Sequence, residues 1–376
     1  MKEVINIVEV STKKQRHQFV SFPLKLYKDN PYFVPPIYMD EIALFKKNNI
    51  NNIDCDQVFY LAYIGDMVVG RIQGIIQKQF NEINNKKQAR FSRFDCIDDQ
   101  KVANELFKAA EKWAKEKGCN EIIGPMGYND LEREGLLIEG FDYLSTYEEQ
   151  YNHSYYQRLI EENGYIKDVD WLEYRLYPEF PDRERLLKIA GFAQRKLKLH
   201  VVGQNLSKRA YIKKYGPAIF EVLDECYKNL YGTVPFSDKV RDNIINNFKL
   251  VVNLDYVITV CDENEKVIAF GIVIPGIGSA LQKSGGRLTI PTIFKLLKTI
   301  DKPKTLDMAL IGVLPEYQKH GLNAFMLTTL QDMLIKNNIE YMETNLNLET
   351  NVNVQGQWRF FKHIQHKRRR AFIKKI

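Results

Sequence analysis

The chain is poor in the residues that mark a metal or redox site. Its 376 residues include only five cysteines. These stand at 55, 96, 119, 226 and 261, with no CxxC pair among them. An odd, dispersed set implies a reducing compartment and excludes a zinc ribbon or a disulfide framework. Small core residues are their expected role. The six histidines, at 17, 153, 200, 320, 363 and 366, show no ligand spacing. His363 and His366 are three apart, but they lie in a basic run that repels a cation, so no metal is expected. No apolar run is long enough to span a bilayer. The opening Met1-Lys2-Glu3-Val4 lacks the charged-then-apolar plan of a signal peptide. A cytoplasmic protein with no membrane partner is therefore expected. A Walker loop, a dinucleotide fingerprint and a defensible Ser/His/Asp arrangement are also missing.

What is present begins with length and charge. The chain exceeds what one compact core usually uses, so two domains are expected. The net charge of +7 divides unevenly. Residues 1–178 hold 23 Lys/Arg and 28 Asp/Glu, and residues 179–376 hold 31 and 19. A polyanionic ligand would prefer the second half, whether a nucleotide cofactor or a nucleic acid. The densest basic run, Lys367-Arg368-Arg369-Arg370, reads as a solvated face of a final strand.

The order of elements repeats. Phe59–Ile64, the turn Gly65-Asp66 and Met67–Ile72 form a hairpin, as do Tyr256–Val260, Asp262–Glu265 and Lys266–Ile272. Each hairpin precedes a central strand, at Ala89–Cys96 and Leu306–Val313. A helix follows, Gln100–Lys117 with its stop at Gly118 and Gly321–Asn337. Then come a strand (Glu121–Ile123; Glu340–Leu346), a helix (His153–Asn163; Val354–Phe361) and extended sequence. The second copy carries an insertion near Pro275–Pro303, with a short helix from Pro291 to Thr299. The expected fold is mixed α/β, two tandem domains of mixed antiparallel and parallel sheet flanked by helices. The domains are expected at 1–178 and 200–376, with a linker helix within 179–199.

The segment Ile311-Gly312-Val313-Leu314-Pro315-Glu316-Tyr317-Gln318-Lys319-His320-Gly321-Leu322-Asn323-Ala324 passes from an apolar strand through a polar loop into a helix. Backbone N–H groups and a helix N-terminus meet there, which is a ready anion site. Asp307 lies upstream on the same strand, and Glu343 on the strand after the helix.

Val313-x-Pro315-x-x-Gln318-x-x-Gly321-x-Asn323 resembles the acyl-CoA loop, Q/R-x-x-G-x-G/A, of the GNAT superfamily of acyl-CoA N-acyltransferases. The resemblance implies that amides of the loop and helix start hold the CoA pyrophosphate, while the preceding strand pairs with the pantetheine arm. Carried onto this chain, the cofactor-binding residues are Ile311, Val313, Gln318, Lys319, His320, Gly321, Leu322, Asn323 and Ala324. Asn323 stands where the family prefers Gly or Ala. The matching place in the first half, Asp95-Cys96-Ile97-Asp98-Asp99, has three carboxylates and no glycine, so that half is expected to lack a CoA site. It keeps an echo of the family in Asn152-x-x-Tyr155-Tyr156-x-x-Leu159-x-x-x-x-Gly164-Tyr165. The Gly127–Tyr151 stretch ahead of that echo reads either as a loop beside a substrate cleft or as a plain surface excursion. The opening Phe22-Pro23-x-x-Leu26-Tyr27-x-x-x-Pro31-x-x-Val34-Pro35-Pro36 is similar to that of bacterial proteins with GNAT-like halves, and its prolines imply an extended entry.

The implied reaction is transfer of an acyl group, acetyl first among them, from CoA to a small-molecule or peptide amine. Asp307 and Glu343 are the candidate proton acceptors. The family's Tyr position falls on Trp358, which supplies no proton, so water, Tyr317 or Tyr341 must serve instead. Two rivals remain open: a non-catalytic acyl-CoA sensor, and an aminoacyl transferase using charged tRNA. The Gly321 loop argues against nucleic acid as the partner.

Overall fold

Both expected hairpins form, because runs rich in β-branched and aromatic residues meet across a short turn at each. The computed structural model describes residues 4–318 and 320–376. Its strands are β1 (Ile5–Glu9), β2 (Cys55–Ile64), β3 (Met67–Gln77), β4 (Gln88–Cys96), β5 (Glu121–Gly124), β6 (Leu136–Glu139) and β7 (Ile166–Tyr177). They continue as β8 (His200–Val201), β9 (Val257–Cys261), β10 (Val267–Pro275), β11 (Thr305–Val313), β12 (Tyr341–Thr344), β13 (Asn347–Leu348) and β14 (Lys362–Lys375). The chain groups into two units. The first runs to Trp171 and adds Gly278–Ile293 and Lys367–Ile376; the second is Leu172–Ile277 with Phe294–His366. Division by sequence order at 178 and 200 therefore misses two later segments that belong with the first unit.

In the first unit, β1 to β4 are successively antiparallel, β4 and β5 are parallel, and Phe372–Lys375 of β14 closes antiparallel on β5. Helix Gln100–Glu116 lies on this sheet through Val102, Ala103, Leu106, Phe107 and Ala110, all fully buried. That spacing of three and four residues is the apolar stripe of an amphipathic helix. Phe91, Phe94, Phe107, Tyr156 and Tyr165 pack against one another beneath it.

The N-terminal entry departs from the extended path its prolines imply. Lys13–Leu26 is a helix with Pro23 inside it and a Thr12/Gln15 capping box at its start. Pro23 has no N–H to give the carbonyl of Phe19 four residues earlier. The Arg71 guanidinium donates to that carbonyl instead, at 2.9 Å. Helix and strand thus complete each other across 52 residues of sequence. Pro31 to Pro36 is irregular and is held by the segment Gly278–Ile293: Gln282 donates to the carbonyls of Pro31 and Phe33, and the Tyr38 N–H to that of Gly286. A Cβ on Gly286 would sit 1.9 Å from the Pro36 carbonyl oxygen, so only glycine fits there.

In the second unit, β8, β9, β10 and β11 are antiparallel, β11 and β12 are parallel, and residues 175–176 of β7 pair antiparallel with β12. Helix Leu322–Lys336 follows β11, as the repeat predicts. The helix expected over Val354–Phe361 is instead a four-residue turn, Val352–Gln355, and a 3-10 turn, Trp358–Phe360.

Candidate active site

β11 carries the site. Its antiparallel register with β10 passes from Leu310 opposite Ile272 to Met308 opposite Val273. Ala309 is therefore an extra residue, a β-bulge that bends the strand. Parallel pairing with β12 covers Thr305 to Met308 against Tyr341 to Thr344 and goes no further. Past that point the two strands part, and the Asn345 side-chain amide bridges to the Ala309 carbonyl at 2.5 Å. At Ile311 the hydroxyl of Tyr227 touches both backbone groups, donating to the carbonyl at 3.2 Å and accepting from the N–H at 3.4 Å. These are long bonds, and each is exchangeable for a better partner on the parted edge.

Beyond β11, Pro315–Tyr317 makes a 3-10 turn and Gly321 is the N-cap of helix Leu322–Lys336, at φ +83°. Gly321 is required on two counts. Its backbone is left-handed, and a Cβ would lie 3.1 Å from Ala193 on helix Arg183–Leu197. Close approach at this glycine is thus first an approach of one helix to another. Among the described residues no side chain caps the helix, so its first amides point outward with partial positive charge. Gln318 is exposed and turns back, its amide donating to the Val313 carbonyl at 3.0 Å. His320 is exposed, Asn323 is half-buried, and Leu322 and Ala324 are buried under the helix. Lys319 lies outside the described residues.

The candidate carboxylates come together. Asp307 and Glu343 are in register on adjacent strands and both are buried. Tyr341 joins them, with two groups that sequence reasoning passed over, Arg175 and His366. Arg175 from β7 binds Glu343 Oε1 at 2.6 Å. His366 places Nε2 3.0 Å from the other oxygen, Oε2, and Nδ1 3.1 Å from the Glu173 carbonyl. Tyr341 lies under the Arg175 guanidinium, 4.0 Å from ring centre to carbon. Burial pushes the Tyr341 hydroxyl above its usual range, and Glu343 and Asp307 add to this against Arg175. Arg175 is pulled down by burial but raised on balance by Glu343. Glu173, Glu343 and His366 have donor atoms within 4.8 Å of one another. The permanent charge of Arg175 on Glu343 disfavours a divalent ion there and suits a buried polar network. Arg175 and His366 left no local signal in sequence, since β7 and β14 meet these residues only through the fold.

The other named aromatics do not join this group. Tyr317 donates to Asp262 at 2.9 Å, and Trp358 is buried with its indole N–H donating to Asn347 at 3.1 Å.

The first unit repeats the frame and fills it. β4 has its own bulge, with Arg93 and Phe94 opposite Ile72 and Arg93 at φ +46°. On its parted edge, the Tyr156 hydroxyl accepts from the Cys96 N–H at 3.1 Å, and Tyr155 donates to the Cys96 carbonyl at 2.7 Å. At the start of helix Gln100–Glu116, the Asp99 carboxylate takes the Lys101 N–H at 2.8 Å. An anion of the chain itself thus sits where a phosphate would bind. The Gly127–Tyr151 stretch adds Arg133 to a polar cleft with Glu41, Arg71, Arg93 and Asp95. Burial would raise Glu41, but the paired Arg93 holds its carboxyl down to about 2.

No family model matches the chain. It is 26% identical over 375 residues to Protein YghO of Escherichia coli (strain K12), covering 97% of this chain and 94% of that one. It is 24% identical over 360 residues to the bacterial ceramide synthase of Caulobacter vibrioides, covering 92% and 91%. A solved tandem GNAT protein from the clavulanic acid biosynthesis pathway superposes with a TM-score of 0.57 at 12% identity, over 99% of this chain and 98% of that one. The fold is the tandem GNAT fold. In these terms β4 and β11 are the two central strands of that fold, each with its bulge and each followed by its helix. Among the described residues, only the second of these helix starts is uncapped.

Proposed function

We propose that the second unit is an acyl-CoA-dependent N-acyltransferase and that the first unit binds no CoA. The observation that carries this reading is the contrast between the two helix starts. Gly321 opens one to an anion, and Asp99 closes the other with a carboxylate. The CoA pyrophosphate would lie on the amides of residues 321–324, with Gln318 and His320 at its rim. The pantetheine arm would run along the parted edge of β11, taking over the Ile311 groups that Tyr227 touches.

In the reaction the amine nitrogen attacks the thioester carbonyl, a C–N bond forms and the C–S bond breaks. The carbonyl oxygen would be polarised by backbone N–H at the bulge. Glu343 is bound by Arg175 and His366, which makes it a positioning group. Asp307, one strand away, would take the amine proton, and Tyr341 would return a proton to the departing thiolate. The name of the Caulobacter relative, a bacterial ceramide synthase, supports a lipid amine as the acceptor.

The test is consumption of acetyl- and long-chain acyl-CoA against a panel of amines including long-chain amino alcohols. CoA binding without turnover of any amine would leave the sensor reading instead. Asn323→Asp puts a carboxylate at this helix start, in its first turn, where the first unit has Asp99 as the cap. It should weaken CoA binding by about tenfold or more, measured by calorimetry. Unchanged affinity would place the pyrophosphate elsewhere.

A further inference from the structure

The insertion after β10 contains a helix, Ile290–Asp301, that buries little of itself. Thr292 is its buried residue. Ile290 is 73% exposed, Phe294 69%, Leu297 58% and Ile293 42%. At 100° per residue, positions 290, 293, 294 and 297 share one stripe. Leu288, just before the helix, is 44% exposed. A contiguous apolar ridge of this kind on an outer helix marks an interaction surface. Beside the ridge run Lys295 and Lys298, with Lys302 one residue past the helix end, all exposed. The one acid, Asp301, is the last helical residue. The helix is far too short to span a bilayer.

We propose that this helix docks the protein on an anionic lipid surface, lying in the interface plane with Ile290, Ile293, Phe294 and Leu297 among the acyl chains. Lysines along one flank then reach the headgroups. An apolar stripe with a basic flank is the pattern of an interfacial helix. Charge decides against a second copy of the chain as the occupant, because pairing two such helices brings like lysine rows together, whereas anionic lipid neutralises them. The expectation of no membrane partner came from the absence of spanning runs, a criterion that an in-plane helix does not meet. The inference rests on this helix alone and stands apart from the acyl-transfer reading.

The full chain should co-sediment with vesicles of equimolar phosphatidylglycerol and phosphatidylcholine, and much less with phosphatidylcholine alone. Phe294→Ser with Leu297→Ser removes two inserted side chains and should weaken binding by about tenfold or more. Both are exposed, so the thermal melt should not move. Lys295→Glu with Lys298→Glu should cut binding to the anionic vesicles by about tenfold or more, and added salt should do the same to the unmodified chain. A full chain that stays in the supernatant with anionic vesicles overturns the proposal. So does unchanged binding by the serine variant. So does a concentration-dependent dimer, seen by sedimentation, that the serine variant abolishes while vesicle binding stays absent.

Discussion

Asp307→Asn should lower the rate of acyl transfer by about 10²–10⁴-fold, the usual range for loss of a general base, while leaving CoA affinity within about twofold. The substitution keeps size and shape at a buried strand position and removes the capacity to take a proton. The matching change at Glu343 is less informative. Glu343→Gln leaves the half-buried Arg175 beside a neutral amide, and removing one partner of a largely buried pair costs up to about 3–5 kcal/mol of stability. Its effect on rate would mix folding with chemistry. Single-turnover kinetics with saturating acyl-CoA checks the first prediction. A rate within threefold of the unmodified chain, on the order of the scatter expected for a bystander, would move the base elsewhere in the network, with His366 next in line.

The second large effect is expected in the first unit. Arg71 is 5% exposed and Asp95 2%, and their ion pair closes at 2.7 Å. Burial raises the Asp95 carboxyl, while Arg71 and the hydroxyls of Tyr27 and Tyr156 pull it back. Both hydroxyls bond the same oxygen, at 3.0 and 3.2 Å. Arg71→Met breaks this pair and also strips the Phe19 carbonyl of the donor that replaces the missing Pro23 N–H. It should cost about 3–5 kcal/mol in urea unfolding. Replacing both partners, Arg71→Met with Asp95→Leu, should cost less than the single change, because no charge is then left unpaired. A single-variant loss under about 1 kcal/mol would mean that the knot carries little of the unit's stability.

How much of this was legible in the sequence depended on distance along the chain. Both hairpins, both central strands and their helices follow from local apolar runs bounded by turn residues, helix-forming residues and the stop at Gly118, whose φ is +84°. The loop at Gln318 to Asn323 and the opposed carboxylates at Asp98 and Asp99 were equally local. Features made by distant pairs were not legible. Pro23 reads as a helix breaker until Arg71 supplies the lost bond. Tyr227, Arg175 and His366 carry no motif, and each arrives on an element set by tertiary packing. The allotment of 278–293 and 367–376 to the first unit is of the same kind. Gly321 was legible as necessary, but the neighbour that makes it so, Ala193, was not.

The central claim is that acyl-CoA occupies one site, at the end of β11, and none at the end of β4. Hydrogen exchange of the full chain with and without acyl-CoA tests it directly, because amides that gain a ligand partner exchange more slowly. The account predicts slowed exchange across residues 309–325 and no change across 94–103. Slowed exchange at 94–103, or none at 309–325 under saturating acyl-CoA, would contradict it.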